Sequence, residues 1–193
     1  MSSHHVVRDE QEPAVIIASP PGKAFGQLAE MFEWSPVVIV LENALEDFLK
    51  WDTKLDVIIG DSDFKTKHQE ELEFQQPYVF VNAQQSALTE ALHFLAEKNH
   101  KTVHIFTTVP DFTIVRKNPQ LEIVFFNGEM KIIHSKTRLF SKWVAKDTCF
   151  KIFDGKINSH EHLLEREGFL QATHNGFVNV FGETEFWIGE KLN

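Results

Sequence analysis

Residues 57–64 read VIIGDSDF: an apolar run, a glycine, then Asp61 and Asp63 with one small residue between them. Similar polar punctuation closes other apolar runs. PVVIVLEN (36–43) ends in Glu42-Asn43, YVFVN (78–82) ends in Asn82, and TVHIFTT (102–108) is followed by Asp111. In an open α/β sheet, ligands bind beyond the carboxyl ends of the strands. Parallel strands would therefore bring Glu42, Asp61, Asp63, Asn82 and Asp111 to one edge. Hard oxygen donors of this kind suit Mg²⁺, which takes one or two carboxylates and leaves other positions to substrate phosphates. The competing reading is a solvated polar turn at the end of a sheet. Asp61 and Asp63 share one face only if the strand runs on through them.

The runs that must position these groups alternate with helical patterns. AVIIAS (14–19), PVVIVLEN, LDVIIG (55–60), YVFVN, TVHIFTT and LEIVFFN (121–127) read as six strands. Phe25, Leu28, Ala29 and Phe32 fall at helical spacing, as do Leu88, Ala91, Leu92 and Leu95 after a possible capping Ser86. Leu45, Phe48 and Leu49 mark a short helix. Continuous apolar strands separated by helices predict an α/β, Rossmann-like domain over 14–127 with a mostly parallel sheet. Asn127-Gly128 is a turn signal. Beyond it MKIIHS, RLFSKWVA, CFKIF, FVNVF and EFWIG predict an all-β sandwich or partial barrel over 130–193. Residues 1–13, including His4 and His5, read as a mobile polar tail.

Composition excludes several classes. The net charge is −9 with no block of Lys or Arg, which argues against nucleic acid. No apolar run is long enough to span a bilayer, and the first residues lack a signal-peptide core. The single cysteine, Cys149, forbids an intrachain disulfide and fits a cytoplasmic location. Cys149 itself reads as core, as does Trp143. SPPGKAFG (19–26) lacks P-loop spacing and reads as a turn before a helix. HEHLLEREG (160–168) places His160 and His162 two apart, a spacing that chelates metal only on a strand or with outside ligands; it reads as a solvated loop. Eighteen Phe stand against one Tyr, for which there is no physical account.

The order of these parts resembles the thiamine pyrophosphokinase family, from about residue 14 to the end, in pattern more than identity. The family's GDxDS appears as Gly60-Asp61-Ser62-Asp63-Phe64. Its Asp-Gly pair after the second strand is Glu42-Asn43. Its DxxxTDxEKAL is NAQQSALTEAL, which keeps the hydroxyl of Ser86 but has Asn82 and Ala87 where carboxylates belong. Its GGRxDHTxxN is represented by TVPDFTIVR, with Asp111 and Thr113 kept, Phe112 for the histidine and Arg116 for the asparagine. Its TSNE is Thr173-His174-Asn175-Gly176, and Trp187 stands where some members place an aromatic ring against the thiamine pyrimidine.

The resemblance implies transfer of the β,γ-diphosphoryl group of ATP to the thiamine hydroxyl, with release of AMP. It implies Mg²⁺ on Asp61 and Asp63 with Glu42, and Asp111 at the thiamine hydroxyl. Nucleotide contacts would fall to Glu42, Asn43, Ser86 and Arg116, and thiamine contacts to Thr173, Asn175 and Trp187 across a homodimer interface. Two readings stay open: an active thiamine diphosphokinase, or a degenerate member that binds a nucleotide or thiamine without turnover. The retained Asp61/Asp63 pair favours the first, and the loss of carboxylates at Asn82 and Ala87 favours the second.

Overall fold

Strands apolar on both faces need cover on both, and the first two-thirds of the chain is built to that demand. The computed structural model describes residues 12–192; His4, His5 and most of the expected tail lie outside them. In order come β1 (Ala14–Ile17), α1 (Phe25–Phe32), β2 (Val38–Leu41), α2 (Leu45–Phe48), β3 (Val57–Gly60), α3 (Ser62–Lys67) and α4 (Gln69–Glu73). Then follow β4 (Val79–Asn82), α5 (Ala87–Glu97), β5 (Thr102–Phe106), α6 (Phe112–Lys117) and β6 (Glu122–Phe126). These six strands are parallel in the order β6-β5-β1-β2-β3-β4. Alternation splits their side chains. Ala14, Ile16, Ile39 and Ile59 meet Ala91, Leu92 and Leu95 of α5 and Ile114 and Val115 of α6. Val15, Ile17, Val40 and Ile58 meet Leu28, Leu45, Phe48 and Leu72 on the other face.

The change of pattern near residue 127 falls on a tight turn, where the Asn127 side chain accepts from the backbone N–H of Met130 at 3.0 Å and Gly128 takes φ 87°. The sheet does not stop there. β7 (Met130–Ser135) pairs antiparallel with β6, and β14 (Phe186–Lys191), β9 (Cys149–Asp154), β12 (Phe169–Ala172) and β11 (Leu163–Arg166) extend the same sheet to eleven strands. A second sheet, β10 (Ile157–Glu161), β13 (Gly176–Gly182) and β8 (Leu139–Val144), packs over this end. Phe140, Phe150, Val178, Val180, Phe186 and Ile188 fill the sandwich. The architecture is thus a mixed α/β fold, a large mostly parallel sheet plus an antiparallel sheet. No helix among the described residues is long and apolar enough to cross a membrane.

Several local expectations need correction. The pair Asp61/Asp63 does not alternate along a strand: β3 ends at Gly60 and α3 begins. The expected apolar stripe of α1 buries only Leu28, while Phe25 and Ala29 are exposed. Residues 157–166, read in part as loop, form β10 and β11. Both are edge strands whose solvent-facing residues are mostly polar, Leu164 excepted, which weakens the hydrophobic signal of a strand. Trp143 is exposed on the outer face of the small sheet, paired with exposed Phe177. Cys149 is half-buried and its thiol faces the Asp147 carbonyl at 3.3 Å.

Candidate functional site

Register brings the strand ends together as the parallel order requires. Leu41 aligns with Ile59 and Gly60 with Asn82, so Glu42, Asp61 and Asn82 leave the sheet side by side. Gly60 is set by close approach. A Cβ there would stand 2.8 Å from the Phe64 ring and 3.1 Å from Glu42 Oε2. Glu42 Oε2 accepts from the Asp61 N–H at 3.3 Å, drawing both carboxylates onto one corner of the edge. Asp61 is also the N-cap of α3, its Oδ1 accepting from the Phe64 N–H at 2.6 Å. Asp63 lies exposed in the first turn of that helix, and Asn43 is exposed in the turn after β2.

The neighbouring groups are arranged for capping as well. Ser86 caps α5 through the Thr89 N–H at 3.2 Å. Asn82 ends β4 with its side chain exposed, and Ala87 packs against the apolar cluster under α5. Asp111 caps α6, accepting from the Thr113 hydroxyl at 2.6 Å and the Thr113 N–H at 2.9 Å. Those hydrogen bonds hold its carboxyl below the ordinary range, which makes it a weak proton acceptor. Among the described residues no three His, Cys, Asp or Glu side chains gather as a metal cage. A Mg²⁺ ion at this corner would have the free oxygens of Glu42 and Asp61 as donors and would need phosphate oxygens or water to fill its other positions.

The remaining candidates lie away from this corner. Arg116, in the last turn of α6, pairs with Asp154 at 3.2 Å. Trp187 is 3% exposed. His134 stacks on it at 4.6 Å with the rings 6° from parallel, and Phe112 lies against it at 4.9 Å. Thr173 and Asn175 sit at the turn between β12 and β13. The Thr173 hydroxyl donates to the His162 carbonyl, and Asn175 Oδ1 accepts from the Lys146 N–H at 2.7 Å. Trp187 aligns with Asp154 at one end of β9, whereas Ala172 bonds to Thr148 just before the other end. Six strand residues at 3.3 Å each put Thr173 and Trp187 about 20 Å apart within one chain.

A cavity of about 370 Å³ opens beside α6, lined by residues that include Phe112, Arg116, His134, Asp154, Glu185 and Trp187. His134 Nε2 lies 3.2 Å from a Glu185 oxygen, and burial, opposed by that carboxylate, lowers the affinity of the imidazole for a proton. Neither His134 nor Glu185 carried a signal in the sequence. They belong to β7 and the turn before β14, and only the pairing of Trp187 with His134 joins them.

The fold defined by these elements is that of the thiamine pyrophosphokinases. Yeast thiamin pyrophosphokinase superposes with a TM-score of 0.68 over 98% of this chain and 88% of its own, at 8% identity. The Candida albicans enzyme gives 0.65 over 96% and 90%, at 12% identity. The Bacillus subtilis thiamine pyrophosphokinase gives 0.64 over 93% and 98%, at 13% identity. No protein-family model matches the chain, and no curated protein matches it in sequence.

Proposed function

We propose that this chain uses the thiamine pyrophosphokinase fold to bind a nucleotide or a thiamine-like molecule, and that diphosphoryl transfer is not sustained at an enzymatic rate. The observation that carries this reading is the environment after β4. Asn82 presents an amide, and Ala87 turns a methyl group into the core where the related motif has a carboxylate. Phosphoryl-transfer chemistry rests on positioning and on metal ions that neutralise phosphate charge. Two fewer carboxylates leave that metal weakly held. Asp111, spent on capping α6, adds little as a base.

A second reading, an active ATP:thiamine diphosphotransferase, draws on the Glu42–Asp61 contact, which keeps two carboxylates on one corner. In that reading Asp61 and Glu42, with Asp63, support Mg²⁺ under the ATP phosphates, and Arg116 and Ser86 lie along the nucleotide. A thiamine pocket shared by Thr173, Asn175 and Trp187 would need a second copy of the chain, given their separation in one.

Separate calorimetric titrations with Mg-ATP and with thiamine test the binding proposal, and heat from neither would overturn it. Asp61→Asn is the companion variant. Asparagine caps a helix as well as aspartate, so stability should change by no more than about 0.5 kcal/mol, while Mg²⁺-dependent nucleotide affinity should fall. Equal nucleotide affinity with and without Mg²⁺ in the unmodified chain would remove the metal from the account.

A further inference from the structure

We propose that His162 and His174 form a surface site for a divalent transition-metal ion of the copper, nickel and zinc group, independent of the carboxyl-edge site above. The two residues occupy the places where the chain crosses between sheets. His162 is the single residue between β10 and β11, held at φ 63°. His174 lies in the turn between β12 and β13. A non-glycine residue in left-handed geometry costs free energy, and such strain concentrates at functional positions.

The two crossings are fastened together. The Thr173 N–H donates to the His162 carbonyl at 3.0 Å, and the Thr173 hydroxyl donates to the same oxygen at 3.1 Å. The same hydroxyl oxygen lies 3.0 Å from His174 Nδ1. Its one hydrogen is already given to the carbonyl, so toward His174 it acts as acceptor. That fixes the imidazole with its proton on Nδ1 and a lone pair on Nε2. A metal-binding histidine is prepared in this way, one ring nitrogen donating to an oxygen while the other faces the ion. A Cβ placed on Gly176 would stand 3.5 Å from Nε2, so the glycine leaves space on that side of the ring.

The spacing of the rings agrees. The imidazole centroids of His162 and His174 are 4.7 Å apart, edge to face, and both residues are exposed. With metal–nitrogen bonds of about 2.1 Å, two imidazoles on one ion at about 90–109° place their centroids about 4.5–5.2 Å apart. Imidazole ligation selects zinc, copper and nickel over magnesium or calcium. No third His, Cys, Asp or Glu among the described residues completes a set. Water or an outside group therefore fills the other positions, and the site is open.

The test titrates Zn²⁺ and, separately, Cu²⁺ into the full-length chain carrying His4→Ala and His5→Ala, which removes the adjacent histidines of the N-terminus. One equivalent should bind, and Zn²⁺ should move the imidazole NMR signals of His162 and His174 together. His162→Ala or His174→Ala should weaken binding more than about tenfold, and Thr173→Val, which keeps both ligands but frees the His174 ring, by about tenfold. His93→Ala, at an exposed histidine on α5, should change nothing. Binding that survives either His162→Ala or His174→Ala, or Zn²⁺ shifts confined to other residues, would overturn the proposal. The NMR result on the chain with both ligands intact decides the matter even if a variant fails to fold.

Discussion

Phe126→Ala should destabilise the chain by about 3–5 kcal/mol, the range for removing a buried aromatic side chain. Phe126 is 1% exposed and stacks on Phe106 with ring centroids 4.7 Å apart and planes 9° from parallel. It aligns with Phe106 of β5 on one side and Lys131 of β7 on the other. Its ring therefore sits at the seam where the parallel half of the sheet becomes antiparallel. Truncation opens a cavity in a layer that also holds Phe48 and Leu28, and it forfeits the stacked pair, worth about 0.5–1.5 kcal/mol beyond the buried area. Urea denaturation checks this: a loss below about 1 kcal/mol would show that the two halves of the sheet do not depend on this seam.

Stability should also fall as the solution is acidified from pH 6.5 toward 4, through His104. Burial, assisted by the Lys131 charge, lowers the pKa of this imidazole from 6.5 to about 4. The ring lies against Met31, Nδ1 to Sδ 3.2 Å, and meets Phe126 edge-on. The folded chain thus binds this proton only near pH 4, whereas the unfolded chain takes it up near 6.5. Between those values the unfolded state holds more protons, so stability rises with pH across the window and is lost as pH falls through it. The gap corresponds to about 3 kcal/mol once the pH is below 4. His104→Phe should flatten that part of the profile. Parallel profiles for the two proteins between pH 7 and 4 would show that His104 is not the group responsible.

The sequence was informative where physics is local and periodic. β1, β2 and β3 announced themselves as nearly unbroken Val, Ile and Leu because both their faces are covered. Ser86 was legible as a cap because a hydroxyl before an apolar stripe has one common use. The helices α3 and α4 were not legible. They hold few apolar residues, with Leu72 buried and Phe64 half-buried, and α3 is started by the Asp61 cap rather than by an amphipathic period. β10 and β11 hid for the converse reason, since an edge strand shows its polar side.

At the site, the rule about strand ends found Glu42 and Asp61 correctly as neighbours. It could not reveal that Asp61 and Asp111 each commit an oxygen to a helix end. Trp187 shows the limit most clearly. Alternation along β14 sends Phe186 and Ile188 into the sandwich and Trp187 to the other face. Only the pairing of distant strands shows that His134 and Phe112 cover its ring there. Trp187 is 3% exposed, and what it shows to solvent faces the cavity beside α6.

The most direct test of the account is a steady-state assay of the unmodified chain with Mg-ATP and thiamine, following thiamine diphosphate and AMP. Enzymes typically turn over at about 1 per second or faster. The chain should bind a nucleotide or thiamine and form product far below that rate, because Asn82 and Ala87 supply no carboxylate and Asp111 is a weak base. Turnover at about 1 per second or more would contradict it and show that Glu42, Asp61 and Asp63 suffice for the chemistry.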